Sequence, residues 1–301
     1  MHLVPTPTFR GHVAKYAVPI YFALTFAISW GGVLLVVGGP AGFTGATARS
    51  DPRFPLVYLA MLAGPAVSGV LCRWLVDGRA GLRALGLRLQ HPGLGIRGYA
   101  LALLTAPVLV LTAVLMLSVT SPEFLPGLFA TDATAGLLIF AVVVGLGAGI
   151  FEELGWTGFA VPRLRRDHGM LATGLIVGAA WAAWHLLAAV WGIGGLAGSI
   201  PLAVFVPADL LSILPAYRVL MVWYYDRTQS LLGSMLMHAS LTATLLALGP
   251  AAATGAHLLA FDLVMAVTLW GVVALLVVGR RSRATRLPRR DSILPGPRSA
   301  R

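Results

Sequence analysis

Runs of about twenty predominantly apolar residues recur eight times along this chain, the length an α-helix needs to cross about 30 Å of hydrocarbon. A soluble reading of the 301 residues fails on composition. The chain is 58% hydrophobic and only 11% charged, against about 25% charged in soluble domains. The sequence therefore predicts an all-α, polytopic transmembrane bundle of about eight spans. They fall near residues 15–37, 56–76, 98–119, 136–161, 171–191, 201–225, 230–249 and 256–279. The first run is too long for a signal-peptide core and lacks a cleavage site, so it counts as a retained span.

Charge distribution orients this map. With the N-terminus cytoplasmic, twenty of the 22 Lys and Arg residues fall on the inner side, and only Arg49 and Arg53 fall outside. Cytoplasmic loops carry such an excess, so both termini are expected inside. Three parts follow: a cytoplasmic segment 1–14, a membrane domain 15–279, and a basic tail 280–301. The tail's Arg, Pro and Ser content predicts disorder and contact with anionic lipid. Without interleaved aromatics or a folded platform beside it, the tail does not predict a nucleic-acid partner. The single cysteine, Cys72, cannot form an internal disulfide, which leaves no redox role to read.

Against that background Phe151-Glu152-Glu153-Leu154-Gly155-Trp156-Thr157-Gly158-Phe159 stands out. A charged side chain in hydrocarbon costs about 2.5–3.5 kcal/mol on insertion scales, so adjacent carboxylates need partners, protons or water. His185 and His238 are the other strongly polar groups at similar depth. At about 1.5 Å per residue, Glu152, His185 and His238 lie roughly 15, 21 and 12 Å from the cytoplasmic ends of their spans. Asp209 and Asp262 come out near outer ends, where a structural or interfacial role is expected.

Glu152 and Glu153 are about 100° apart on a helix. One can face a cavity while the other braces a neighbouring helix. Trp181 lies four residues before His185, and Thr242 four residues after His238, both i,i+4 neighbours on a shared face. Each histidine alone reads as a satisfied core residue. Two histidines and a carboxylate pair at matching depth read as a site. Such a set fits zinc, with Glu152, His185 and His238 as ligands and one position open. Equally, it fits metal-free activation of water by Glu and His, with another His at the oxyanion. His-Glu-x-x-His is absent. Gly145, Gly147 and Gly149 just upstream predict close helix packing.

Glu152 to Phe159 with Pro162-Arg163-Leu164, then Trp181 to His185, then His238 to Thr242, together resemble the three motifs of the CAAX protease and bacteriocin-processing (CPBP) family, with a core about 136–246. The resemblance implies an intramembrane endopeptidase, usually labelled a metalloprotease, in a multi-pass position in a bacterial plasma membrane. Its partners would be the lipid bilayer and a membrane-proximal or prenylated peptide. By the same resemblance Glu152 activates water, Glu153 is its structural or catalytic neighbour, His185 assists, and His238 binds the oxyanion or a metal. Trp181, Thr157 and Thr242 would support the site.

Two positions depart from the family's pattern: Thr157 stands where an arginine is common, and Thr242 where an asparagine is. The first departure leaves Glu153 without its usual charge partner, so it is expected either to be the more protonated of the two carboxylates or to be paired elsewhere. The cavity is expected to open toward the cytoplasm. Two rival readings are a non-catalytic scaffold or bacteriocin self-immunity protein, and a proton-coupled transporter; the latter lacks the internal repeats that would favour it.

Overall fold

In the computed structural model, which describes residues 14–43, 51–89 and 94–286, eight helices are long and apolar enough to cross a membrane, and no strand forms among the described residues. They are α1 (Ala17–Val37), α2 (Phe54–Leu89), α3 (Gly95–Ser118), α4 (Thr134–Asp167), α5 (Met170–Ile193), α6 (Leu202–Thr228), α7 (Leu231–Leu248) and α8 (Gly255–Arg286). The protein is a multi-pass all-α membrane bundle.

Two boundaries differ from the hydropathy map. Helix α2 does not stop at residue 76. It kinks at Gly78, whose φ of 63° and ψ of −154° lie outside helical space, and continues to Leu89. Glycine supplies that conformation without a Cβ penalty. Leu85 then buries against Leu231 and Met235 of α7, which holds the extension on the bundle. Helix α8 likewise runs past residue 279 to Arg286, so the first part of the expected tail is helical. The remainder of the tail, 287–301, and most of the expected N-terminal segment (residues 1–13) lie outside the described residues.

Helix α4 is regular to Gly155, passes through a π turn at Trp156–Ala160, and finishes as Val161–Asp167. Pro162 lacks the N–H that would bond the carbonyl of Gly158, which loosens the α ladder at this point. Glycines set the distances between helices. A Cβ on Gly149 would lie 2.3 Å from the Met235 carbonyl of α7, and one on Gly155 would lie 2.3 Å from the Pro65 carbonyl of α2. Helices α4, α2 and α7 therefore touch backbone to backbone around the glutamates.

Several arginines of the topology count are structural partners as well. Arg163 and Arg73, both buried, converge on Asp77 at 2.6 and 3.5 Å, and Arg165 pairs with Asp226 at 2.9 Å. These pairs leave the orientation argument intact, because the rule counts Lys and Arg rather than net charge. At the opposite end Arg53 pairs with Asp51 and donates to the last carbonyl of α1, at Val37. That guanidinium holds the Asp51 carboxyl below its usual range.

Candidate active site

Glu152 and Glu153 divide as their angular separation requires. Glu152, 3% exposed, turns to a chamber of about 140 Å³ that His185, Trp184 and Tyr58 also line. Its Oε2 accepts a hydrogen bond from Trp181 Nε1 at 2.8 Å. Glu153 is fully enclosed and turns to helix α6. There Arg218 Nη1 donates to both its oxygens at 2.9 Å, and the Thr157 hydroxyl donates to Oε2.

His238 of α7 joins the two carboxylates. Its Nδ1 is 2.7 Å from Glu153 Oε1, and its Nε2 is 3.9 Å from Glu152 Oε2. An ionised carboxylate only accepts, so Nδ1 carries the proton and donates. His185, half-buried on α5, donates from Nδ1 to the Trp181 carbonyl at 2.9 Å. A carbonyl cannot donate, so His185 Nε2 is left with its lone pair. The Trp181 ring lies 5.5 Å from the His185 ring and 5.0 Å from the His238 ring, centre to centre. Glu152, Glu153, Trp181, Thr157, His185 and His238 thus meet in one place. Thr242 does not: among the described residues no hydrogen bond joins it to either glutamate or either histidine, and it is half-buried one turn along α7.

Of the two expectations for Glu153, a proton or a partner elsewhere, the structure supplies the partner. It is Arg218, fully buried, with its guanidinium 4.2 Å over the Trp181 ring. Such a charge-assisted pair, supported by cation–π contact, favours the ionised carboxylate. In the charge count Arg218 is one of the twenty inner-side basic residues. It lies ten residues before the end of α6, about 15 Å deep at helical rise, the depth found for Glu152. The same depth count would have marked it. The tight α5–α6 contact carries it inward: a Cβ on Gly178 would lie 2.7 Å from Pro215 and 3.2 Å from the Arg218 Cβ.

His238 gives Nδ1 to Glu153 and His185 gives Nδ1 to a carbonyl, which leaves each Nε2 free; metal-ligating histidines hold their other nitrogen in the same way. Among the described residues no three His, Cys, Asp or Glu side chains gather as a metal-holding group. The same side chains can also activate water without a metal.

A larger cavity of about 540 Å³ also borders His185. It reaches the α5–α6 and α7–α8 connections through Leu196, Gly249 and Ala251, with Phe54 on its wall. This is the arginine-poor end of the bundle, whereas the cavity was expected at the arginine-rich end that the charge count assigns to the cytoplasm. Asp209 and Asp262 line this cavity, and Asp262 is only 3% exposed. An interfacial, solvated role for Asp262 is excluded by that burial.

Residues 134–245, which are α4 to α7 and carry every residue of the network, match the family model described as type II CAAX prenyl endopeptidase Rce1-like. No curated protein matches the chain.

Proposed function

We propose, from the premise that residues 134–245 are an Rce1-like domain consistent with the CPBP family of membrane endopeptidases, that this protein hydrolyses a peptide bond in a membrane-proximal substrate by water activated at Glu152. The observation that carries the reading is the division of labour between the glutamates. Glu152 opens to a chamber that His185 also lines, while Glu153 is neutralised by Arg218 and holds His238.

The steps follow from those positions. Water in the chamber donates a hydrogen bond to Glu152 and is oriented by His185 Nε2. Glu152 takes its proton as the oxygen attacks the carbonyl carbon. His238, whose Nδ1–H is fixed by Glu153, presents Nε2 beside Glu152; when that nitrogen is protonated it donates to the developing oxyanion. Collapse of the tetrahedral intermediate breaks the C–N bond, and the proton held by Glu152 passes to the leaving amine. The apolar walls of the larger cavity suit an apolar or prenylated segment, and the finer reading is a prenylated peptide at a bacterial plasma membrane. A scaffold reading draws on two departures, Thr157 in place of arginine and Thr242 in place of asparagine. The Arg218 guanidinium supplies the missing charge from another helix, so the first departure does not argue for inactivity.

The test is turnover of prenylated and unprenylated membrane-proximal peptides by purified protein. Glu152→Gln retains size but cannot take the proton, and turnover should fall about 100- to 10,000-fold. His185→Ala and His238→Ala should abolish cleavage with folding preserved. Added chelator divides the mechanisms: an unchanged rate favours water activated by Glu152 and His185 alone, and loss restored by zinc means that a metal is used. Wild-type protein that cleaves no such peptide, with a cellular phenotype indifferent to Glu152→Gln, sinks the endopeptidase reading.

A further inference from the structure

The larger cavity holds two carboxylates that hydrolysis does not use. Asp262 of α8 is nine-tenths buried and more, and neither of its carboxylate oxygens has a hydrogen-bond partner. Asp209 of α6 lines the same cavity and lies close enough for the two charges to repel. No ion pair reaches either residue among the described residues. Among the described residues the only other ionisable side chain on the cavity wall is His185; Phe54, Phe140 and Phe261 are among its apolar neighbours. Unpaired carboxylates in such surroundings are costly, and breaking a buried ion pair by removing its partner carries the same penalty. A buried carboxyl escapes that cost by holding a proton or by meeting a cation, and a cation entering this cavity would find two such acids.

The cation's chemistry follows from the walls. A divalent ion needs about six to eight oxygen ligands or keeps its water, and these walls are mostly hydrocarbon. A lysine or arginine side chain brings an apolar stem with a charged tip, which matches an apolar cavity ending in two acids. We propose that Asp209 and Asp262 form a specificity subsite for a basic residue of the peptide substrate. This rests on the endopeptidase reading and deepens it. Asp209 precedes Arg218 by nine residues, about 13 Å of helix. An extended peptide covers about 3.3–3.6 Å per residue, so the basic residue sits about two to four positions from the scissile bond, allowing for side-chain reach.

Two measurements keep this separate from catalysis. In the first, wild-type protein is offered peptide pairs that differ only by lysine or norleucine in that window. The lysine member should be cleaved with kcat/KM at least about tenfold higher, since a site built for a polar group rejects its apolar analogue. Asp262→Asn and the Asp209→Asn/Asp262→Asn double variant should bring the ratio to near one. In the second, the same peptides are added to Glu152→Gln protein and thermal unfolding is followed. The lysine peptide should stabilise it and the norleucine peptide should not, with the difference lost when both aspartates are changed. Equal cleavage and equal stabilisation by the two peptides overturn the subsite. So does stabilisation by calcium, magnesium or zinc alone that the Asn changes remove, because the cavity then binds a metal. A lysine preference in binding without any cleavage by wild-type protein upholds the subsite and defeats the hydrolase.

Discussion

Glu153 is enclosed on all sides, and its charge is balanced from two other helices, by Arg218 of α6 and by Nδ1 of His238 on α7. Removing one member of a buried pair strands the other and costs about 3–5 kcal/mol. Arg218→Met should therefore lower the thermal midpoint in detergent sharply. Glu153→Gln combined with Arg218→Met should be better tolerated than Arg218→Met alone; strictly additive losses would mean that the pair contributes nothing. Thr157 invites a second test. An i,i+4 pair with Glu153 makes Thr157→Arg attractive from sequence, yet Thr157 is 2% exposed and the carboxylate already holds a guanidinium. The variant should lose about 1–3 kcal/mol to overpacking, and full stability in the same melt would show that Arg218 is not the resident partner. The glutamates and histidines were legible because each is an ionisable group deep in an apolar run. Arg218 was hidden by its proximity to Arg227 and to the span's end, where an arginine reads as an interfacial anchor.

Helix–helix spacing decides whether those side chains can meet at all. The spans were legible because twenty apolar residues have few alternatives, whereas the extension beyond Gly78 was not, because its arginines resemble a loop. Glycine spacing before the glutamates predicted close packing, and the structure supplies the partners. Gly145 and Gly149 face the Ala239 and Met235 carbonyls of α7, and Gly147 faces the Tyr58 hydroxyl of α2. The first two contacts bring Glu153 to His238. Gly149→Leu should drive α4 from α7, costing about 1–3 kcal/mol or more, and should reduce turnover more than stability because the Glu153–His238 bond needs that approach. Gly136→Ala, with nothing within 4 Å of the added Cβ, should be neutral in both assays. Equal behaviour of the two variants would show that α4–α7 contact does not set the site.

At the scale of the molecule, charge and cavity point in opposite directions. The arginines gather at one end, including Arg163, Arg165 and Arg166 in the last turns of α4. The cavity reaches the other end, at Gly249, Pro250 and Ala251. If arginines mark the cytoplasm, substrate enters from the far side of the membrane or laterally from its outer half. Accessibility decides this. Cys72 is the only cysteine in the chain and is buried, so Cys72→Ala gives a silent background. On that background Ala251→Cys, at an exposed position on the cavity rim, should react with a membrane-impermeant maleimide in intact cells. Asp167→Cys, exposed at the opposite end, should react only after permeabilisation. Labelling at Ala251→Cys should also slow peptide turnover by obstructing the cavity. The reverse labelling pattern would turn the bundle over and put the cavity on the cytoplasmic side. Substrate entry and the orientation of the arginines would then have to be explained by different forces, since the positive-inside count and the cavity are fixed to opposite ends of the same rigid helices.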